Sequence, residues 1–106
     1  MQNYDVKYIE LYYKDLEKAV NYISNDLNNP QAAINLLEKI EEAIDKRKDF
    51  AESFEPYRTN RNRKDKYYRI YVDNYVIFYV VLNGEGGQKI MEMRRLLYYR
   101  RQFTKH

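Results

Sequence analysis

The hydrophobic repeat of this chain switches from a period of two to a period near 3.6 and back again, and few small folds accommodate that order. Tyr4, Val6 and Tyr8 alternate with Asp5 and Lys7, which predicts a strand over residues 3–8. Ile9, Tyr12, Tyr13, Leu16, Ala19, Val20, Ile23 and Leu27 then recur at intervals of three and four, the stripe of an amphipathic helix over about residues 11–26. Asn28, Asn29 and Pro30 interrupt it, because proline fixes its own φ and pushes the preceding residue out of the α region. Asn29 is suited to cap the next helix and Pro30 to open it. Ala33, Leu36, Leu37, Ile40, Ala43 and Ile44 line one face of that second helix, with fraying expected around Lys48 to Phe50.

Beyond Pro56 the character changes. Residues 57–66 hold no aliphatic side chain and read as a solvated basic loop. Residues 67–72 and 75–82 are β-branched and aromatic, and Asp73-Asn74 between them suits a tight hairpin. Gly84 to Gly87 predicts the next turn, and residues 89–99 a last strand. The order β-α-α-β-β-β predicts one α+β domain over residues 1–106, with a helical hairpin packed on one face of a four-stranded sheet. At 106 residues the chain buries about 60–70% of its unfolded surface, enough for one two-layer core.

Composition narrows the chemistry. There is no Cys and a single His, His106, so thiolate chemistry, disulfides and the usual transition-metal sites lack their parts, and no cofactor or metal is expected. No apolar run approaches the ~18 residues of a membrane span and the first residues do not read as a signal peptide, so a cytoplasmic protein without membrane contact is expected. The net charge of +3 conceals two opposed halves: residues 1–56 sum to −5 and residues 57–106 to +8. The basic half also holds much of the tyrosine.

The uncovered face of a two-layer sheet must do something with its side chains. Tyr68, Ile70 and Val72 form the more apolar set of their strand and are expected against the helices, leaving Tyr67, Arg69 and Tyr71 outside. The middle strand is apolar on both faces, so its outer residues, with Tyr71, Val76 and Phe78 as the candidates, are expected to bind a partner chain. In the last strand neither alternating set is cleanly apolar: Arg95 shares a side with Met91, Met93 and Leu97, and Arg94 with Ile90, Glu92 and Leu96. Arg58, Arg61, Arg63, Lys64 and Lys66 in the loop, with Arg94 and Arg101, are the candidate nucleic-acid contacts, since arginine grips phosphate while tyrosine rings offer stacking surfaces for single-stranded RNA.

Asp15-Leu16, Tyr22-Ile23, Asn29-Pro30, Ala32-Ala33 and Leu36-Leu37, followed by Tyr68-Arg69, Val72-Asp73-Asn74-Tyr75-Val76-Ile77-Phe78-Tyr79, Leu96-Leu97-Tyr98 and Arg100-Arg101, occur in this order over about 95 residues. The pattern resembles the RelE/ParE superfamily of type II toxin-antitoxin toxins. The resemblance implies the fold derived above and a growth inhibitor kept silent by a cognate antitoxin. RelE-like members cleave mRNA on the ribosome, whereas ParE-like members poison DNA gyrase without catalysis; a toxin-like domain that only binds a partner is a third reading. The charge division predicts an antitoxin that sets acidic side chains against the basic half.

The nuclease reading, to which the basic tyrosine-rich face lends the lean, implies attack of a ribose 2′-OH on its own 3′ phosphate. That step needs a proton acceptor, a stabiliser of transition-state charge and a proton donor to the leaving oxygen. Arg69, Arg95 and Arg100 are the implied charge stabilisers; Tyr98 and Tyr99, with Tyr71, are the groups that would stack or move a proton. Arg69 and Tyr71 partly match the nuclease pattern, whereas the next-strand arginine position holds Val76. The gyrase reading makes the same arginines an interface.

Overall fold

A computed structural model describes residues 4–57 and 65–99 of the chain. Strand β1 (Tyr4–Tyr8) leads into helix α1 (Glu10–Asn21), a π-helical turn (Tyr22–Asp26), helix α2 (Pro30–Arg47) and a 3₁₀ turn (Lys48–Phe50). Strands β2 (Tyr68–Val72), β3 (Tyr75–Asn83) and β4 (Lys89–Tyr98) follow, with a second 3₁₀ turn (Glu85–Gly87) between the last two. The sheet runs β1-β4-β3-β2, with β1 parallel to β4 and the other pairs antiparallel, and α1 and α2 pack on one face. This is the expected α+β, β-α-α-β-β-β architecture.

Local chemistry explains the boundaries. The Asn29 side chain accepts a hydrogen bond from Ala32 N at 3.1 Å with Pro30 behind it, as a capped helix start requires. Asn28, at φ 50°, supplies the left-handed residue between the helices, a conformation Asn tolerates better than most. The first helix ends at Asn21, and the expected stretch to residue 26 is instead a wider π turn. Asp73, at φ 52°, turns the β2-β3 hairpin, and Lys39 of α2 reaches it at 3.2 Å.

The core lies between the helices and the inner sheet face. Tyr12, Leu36, Ile40 and Ile44 meet Tyr68, Ile70, Val72, Ile77, Tyr79, Met91, Met93 and Leu96, so the expected inward set of β2 is buried. A β-bulge resolves the mixed pattern of β4. Phe78 pairs with Arg95 but Tyr79 pairs with Met93, so Arg94 is an extra residue, and the shift puts Met91, Met93 and Leu96 on the same inner face.

The outer sheet face differs from expectation. Val76 and Val80, on the outward side of β3, are only 5% and 0% exposed, and Phe78 is half-buried. The chain covers its own middle strand: Tyr57 meets Phe78 edge-on with ring centroids 5.4 Å apart, and Tyr71 lies 5.3 Å from Tyr99. Tyr71 and Leu97 flank Val76 in register. Val76 is therefore no ready contact for a partner, whereas Tyr71 is half exposed.

Among the described residues no helix is long and apolar enough to cross a membrane.

Candidate functional site

Two surfaces hold the described candidate residues, and β4 divides them. The first is the outer sheet face. The backbone N–H of Tyr57 donates to Tyr67 O at 2.6 Å and draws together the ends of the segment between them. Arg58, Arg61, Arg63 and Lys64 belong to that segment and lie outside the described residues, as do Arg100 and Arg101. Lys66 is exposed beside it.

Arg69 on β2 stands at this face, its guanidinium 4.9 Å from the Tyr57 ring centroid and 5.8 Å from that of Tyr71, and it donates to the Tyr71 hydroxyl at 3.1 Å. Among the described residues it has aromatic and hydroxyl partners but no carboxylate. Such an arginine keeps most of its capacity to receive an anionic or carbonyl group. Arg94 does not: its Nε donates to Glu92 at 2.6 Å, its Nη1 to the Tyr67 hydroxyl at 3.1 Å, and Asp65 lies 3.8 Å away. Partial burial disfavours its charge, yet the Glu92 contact prevails and the net shift of its pKa is upward.

The second surface is the groove between the C-terminal half of α1, the π turn and the outer edge of β4. Its volume is about 890 Å³, and Lys18, Tyr22, Asp26, Tyr75, Arg95 and Tyr98 are among its walls. β1 pairs only with Lys89–Met93, and the chain turns into α1 just after Ile9 donates to Met93 O at 3.3 Å. Past Met93 the edge of β4 is therefore left to α1. Asp15 attends to it: Oδ2 accepts from Leu96 N at 3.0 Å and from Arg95 Nε at 2.7 Å, while Oδ1 accepts from Arg95 Nη2 at 3.2 Å. Partial burial opposes ionisation of Asp15, but the Arg95 and Leu96 hydrogen bonds outweigh it and hold its pKa below the ordinary carboxylate value.

The set expected to act together is thus split. Arg69, Tyr71 and Tyr99 share the outer face. Tyr98 lies on the opposite side, edge-on to Tyr75 at 5.6 Å, and Arg95 is engaged by Asp15. The described tyrosines with resolved pKa shifts (Tyr4, Tyr8, Tyr12, Tyr68, Tyr75 and Tyr79) all move upward, chiefly through burial, which makes them weaker proton donors.

Sequence reasoning missed the work of Asp15 and Arg47. Asp15 sits beside Leu16 between Tyr12 and Ala19, a carboxylate bordering the apolar stripe of a helix, and that placement was the available signal. Arg47, at the end of α2, donates from Nη1 to Arg69 O at 3.0 Å and to the Tyr79 hydroxyl at 2.9 Å, and stacks 3.6 Å from the Phe54 ring centroid. It joins α2, the segment after it and two strands.

The sequence model of the family described as ParE toxin of type II toxin-antitoxin system, parDE, matches residues 6–103. Among curated proteins none matches the chain significantly by sequence. A solved structure titled as the chromosomal ParDE TA system from P. aeruginosa superposes with a TM-score of 0.65 over 92% of this chain and 97% of that one, at 11% identity, a likeness of fold. With a family match spanning both helices, the sheet and nearly every position described above, the chain belongs to the ParE toxin family of type II toxin-antitoxin systems.

Proposed function

We propose that this protein is the toxin of a type II pair, silenced by a cognate antitoxin, and that it arrests growth by binding DNA gyrase rather than by cutting RNA. The observation that carries the choice is the commitment of two of the candidate arginines among the described residues, Arg94 and Arg95. Arg95 is forked onto Asp15, Arg94 donates from Nε to Glu92, and Tyr98 faces away from Arg69. A phosphodiester cleavage site needs charge stabiliser, proton acceptor and proton donor converging on one phosphate. An inhibitory interface needs only a shaped, chemically mixed surface, and a half-buried arginine among tyrosine rings, as Arg69 is, is typical of strong contact points.

Ribosome-dependent mRNA cleavage is the second reading. It is favoured by the grouping of Arg69 with Tyr57, Tyr71 and Tyr99, a cation among rings on which bases could stack.

The test is tightly controlled expression, with mapping of cellular mRNA 5′ ends and a supercoiling assay of purified gyrase run in parallel. Blocked supercoiling with intact mRNA is the expected result. Codon-phased mRNA cleavage that disappears in Arg69→Ala would replace the gyrase reading with the nuclease one. Absence of any growth effect would leave a domain that only binds a partner.

A further inference from the structure

Arg69 stands on an edge strand, since β2 has β3 as its neighbour at the end of the sheet. Its side chain faces the outer surface, but its backbone is held from the helical layer: Arg69 O accepts from Arg47 Nη1 at 3.0 Å. Two residues earlier on the same edge, Tyr67 O accepts from Tyr57 N–H at 2.6 Å. A carbonyl at a sheet edge has no ladder to fix it, so these two contacts set where this part of β2 lies.

Arg47 also reaches the segment that carries the Tyr57 ring. Its guanidinium stacks 3.6 Å from the Phe54 ring centroid, and its Nη1 donates to the Tyr79 hydroxyl, which in turn donates to Ala51 O at 2.8 Å. From Phe54 the chain runs to Tyr57 through Pro56, whose fixed φ stiffens so short a link. One guanidinium thus grips both the strand that bears Arg69 and the segment that bears the ring against it. The 4.9 Å between the Arg69 guanidinium and the Tyr57 ring centroid is set by this shared anchor.

We propose that Arg47 is a positioning residue, which touches no target itself but holds Arg69 and Tyr57 at the spacing in which Arg69 meets its target. The inference rests on the reading of Arg69 as a target-contacting arginine, and it holds for gyrase or RNA alike. A long side chain that becomes ordered only on binding costs affinity, and a supporting layer of fixed groups removes that cost. Arginine suits the supporting task because its planar guanidinium stacks on a ring while donating in its own plane, which an ammonium cannot do.

The test is a double-mutant cycle on the full chain, with the heteronuclear NOE of the Arg69 Nε–H group as a readout that needs no target. Arg47→Met is expected to lower that NOE by roughly half and to weaken gyrase binding about fivefold. In the Arg69→Ala background the same substitution should leave binding unchanged, because the group it positions is gone. Arg47→Lys, which keeps a donor for Arg69 O but loses the stack on Phe54, should fall between Arg47→Met and the native chain. Asn29→Ala, a stability change at the far end of α2, should leave both readouts at their native values. If the native chain cleaves mRNA instead, the same cycle is run on the cleavage rate.

Circular dichroism identifies the folded variants, and if Arg47→Met does not fold, Arg47→Gln replaces it, being polar but too short to reach Arg69 O. A folded Arg47 variant with a native Arg69 NOE, or one that weakens binding equally with and without the Arg69 side chain, overturns the proposal and leaves Arg47 a role in the fold alone. Arg69→Ala that binds as the native chain does overturns the reading of Arg69, and the proposal with it; the NOE keeps the two failures apart.

Discussion

Tyr79 accepts a hydrogen bond from Arg47 at 2.9 Å and passes its own proton toward Ala51 O at 2.8 Å, so one buried hydroxyl on β3 ties the end of α2 to the segment that follows it. Neither its ring nor Ala51 has measurable exposure. Burial pushes the Tyr79 phenol up in spite of the nearby Arg47 cation, which keeps it protonated and donating. Tyr79→Phe keeps the ring but leaves Ala51 O without this partner. The expected cost is about 1–3 kcal/mol, the range for an unsatisfied buried group, read as a lower urea midpoint with an unchanged slope.

The Asp15–Arg95 pair predicts an acid-sensitive fold. The folded pKa of Asp15 lies below its unfolded value, so its contribution is complete above the unfolded carboxylate pKa, about 3.9, and is lost as pH falls through the folded value. Glu52 behaves alike, lowered first by the Lys89 hydrogen bond. Urea midpoints measured from neutral pH downward should fall in this acid window. Asp15→Asn should lower the neutral-pH midpoint and flatten that fall; an acid limb as steep as the native one would show that Asp15 does not contribute.

At the other end of the hairpin, Asn29→Ala removes the acceptor of Ala32 N. A loss of about 1 kcal/mol is expected, the usual value of an N-cap, with no change in growth arrest beyond that stability loss. Asn29→Asp, which restores the acceptor and places negative charge at the helix N-terminus, should recover most of it.

Arg69 is the described outer-face arginine without a carboxylate partner, and Arg69→Ala should weaken target binding by about tenfold or more while leaving the fold intact. Pull-down titration against purified gyrase measures it. Arg94→Ala, which breaks the Glu92 contact, should instead show its main effect in thermal stability.

The charge division bears on the antitoxin. With a net +8 over residues 57–106, association with an acidic antitoxin segment should slow by an order of magnitude or more between low and moderate salt. Stopped-flow association over a salt series checks this, and a flat series would remove electrostatic steering from the account.

The element order was readable because helix and strand periods, the Asn29-Pro30 start and the Asp73-Asn74 turn are local signals. The inner set of β2 was readable for the same reason: Tyr68, Ile70 and Val72 alternate without interruption. β4 was not, because one bulged residue, Arg94, shifts every later side chain to the other face, and a bulge has no period. Nor could a repeat reveal that Tyr57, Tyr71 and Tyr99 would fold over the apolar outer side of β3, since Tyr57 and Phe78 are far apart in the chain.

The amino-acid order alone carried the helical hairpin, the strand sequence and the division between an acidic and a basic half, all properties set by neighbours within a few residues. Which arginines stay free was settled by packing. Asp15 and Arg95 are 80 positions apart, and their fork exists because β1 ends early, α1 runs along the exposed edge of β4, and a carboxylate there can satisfy a backbone N–H and a guanidinium at once.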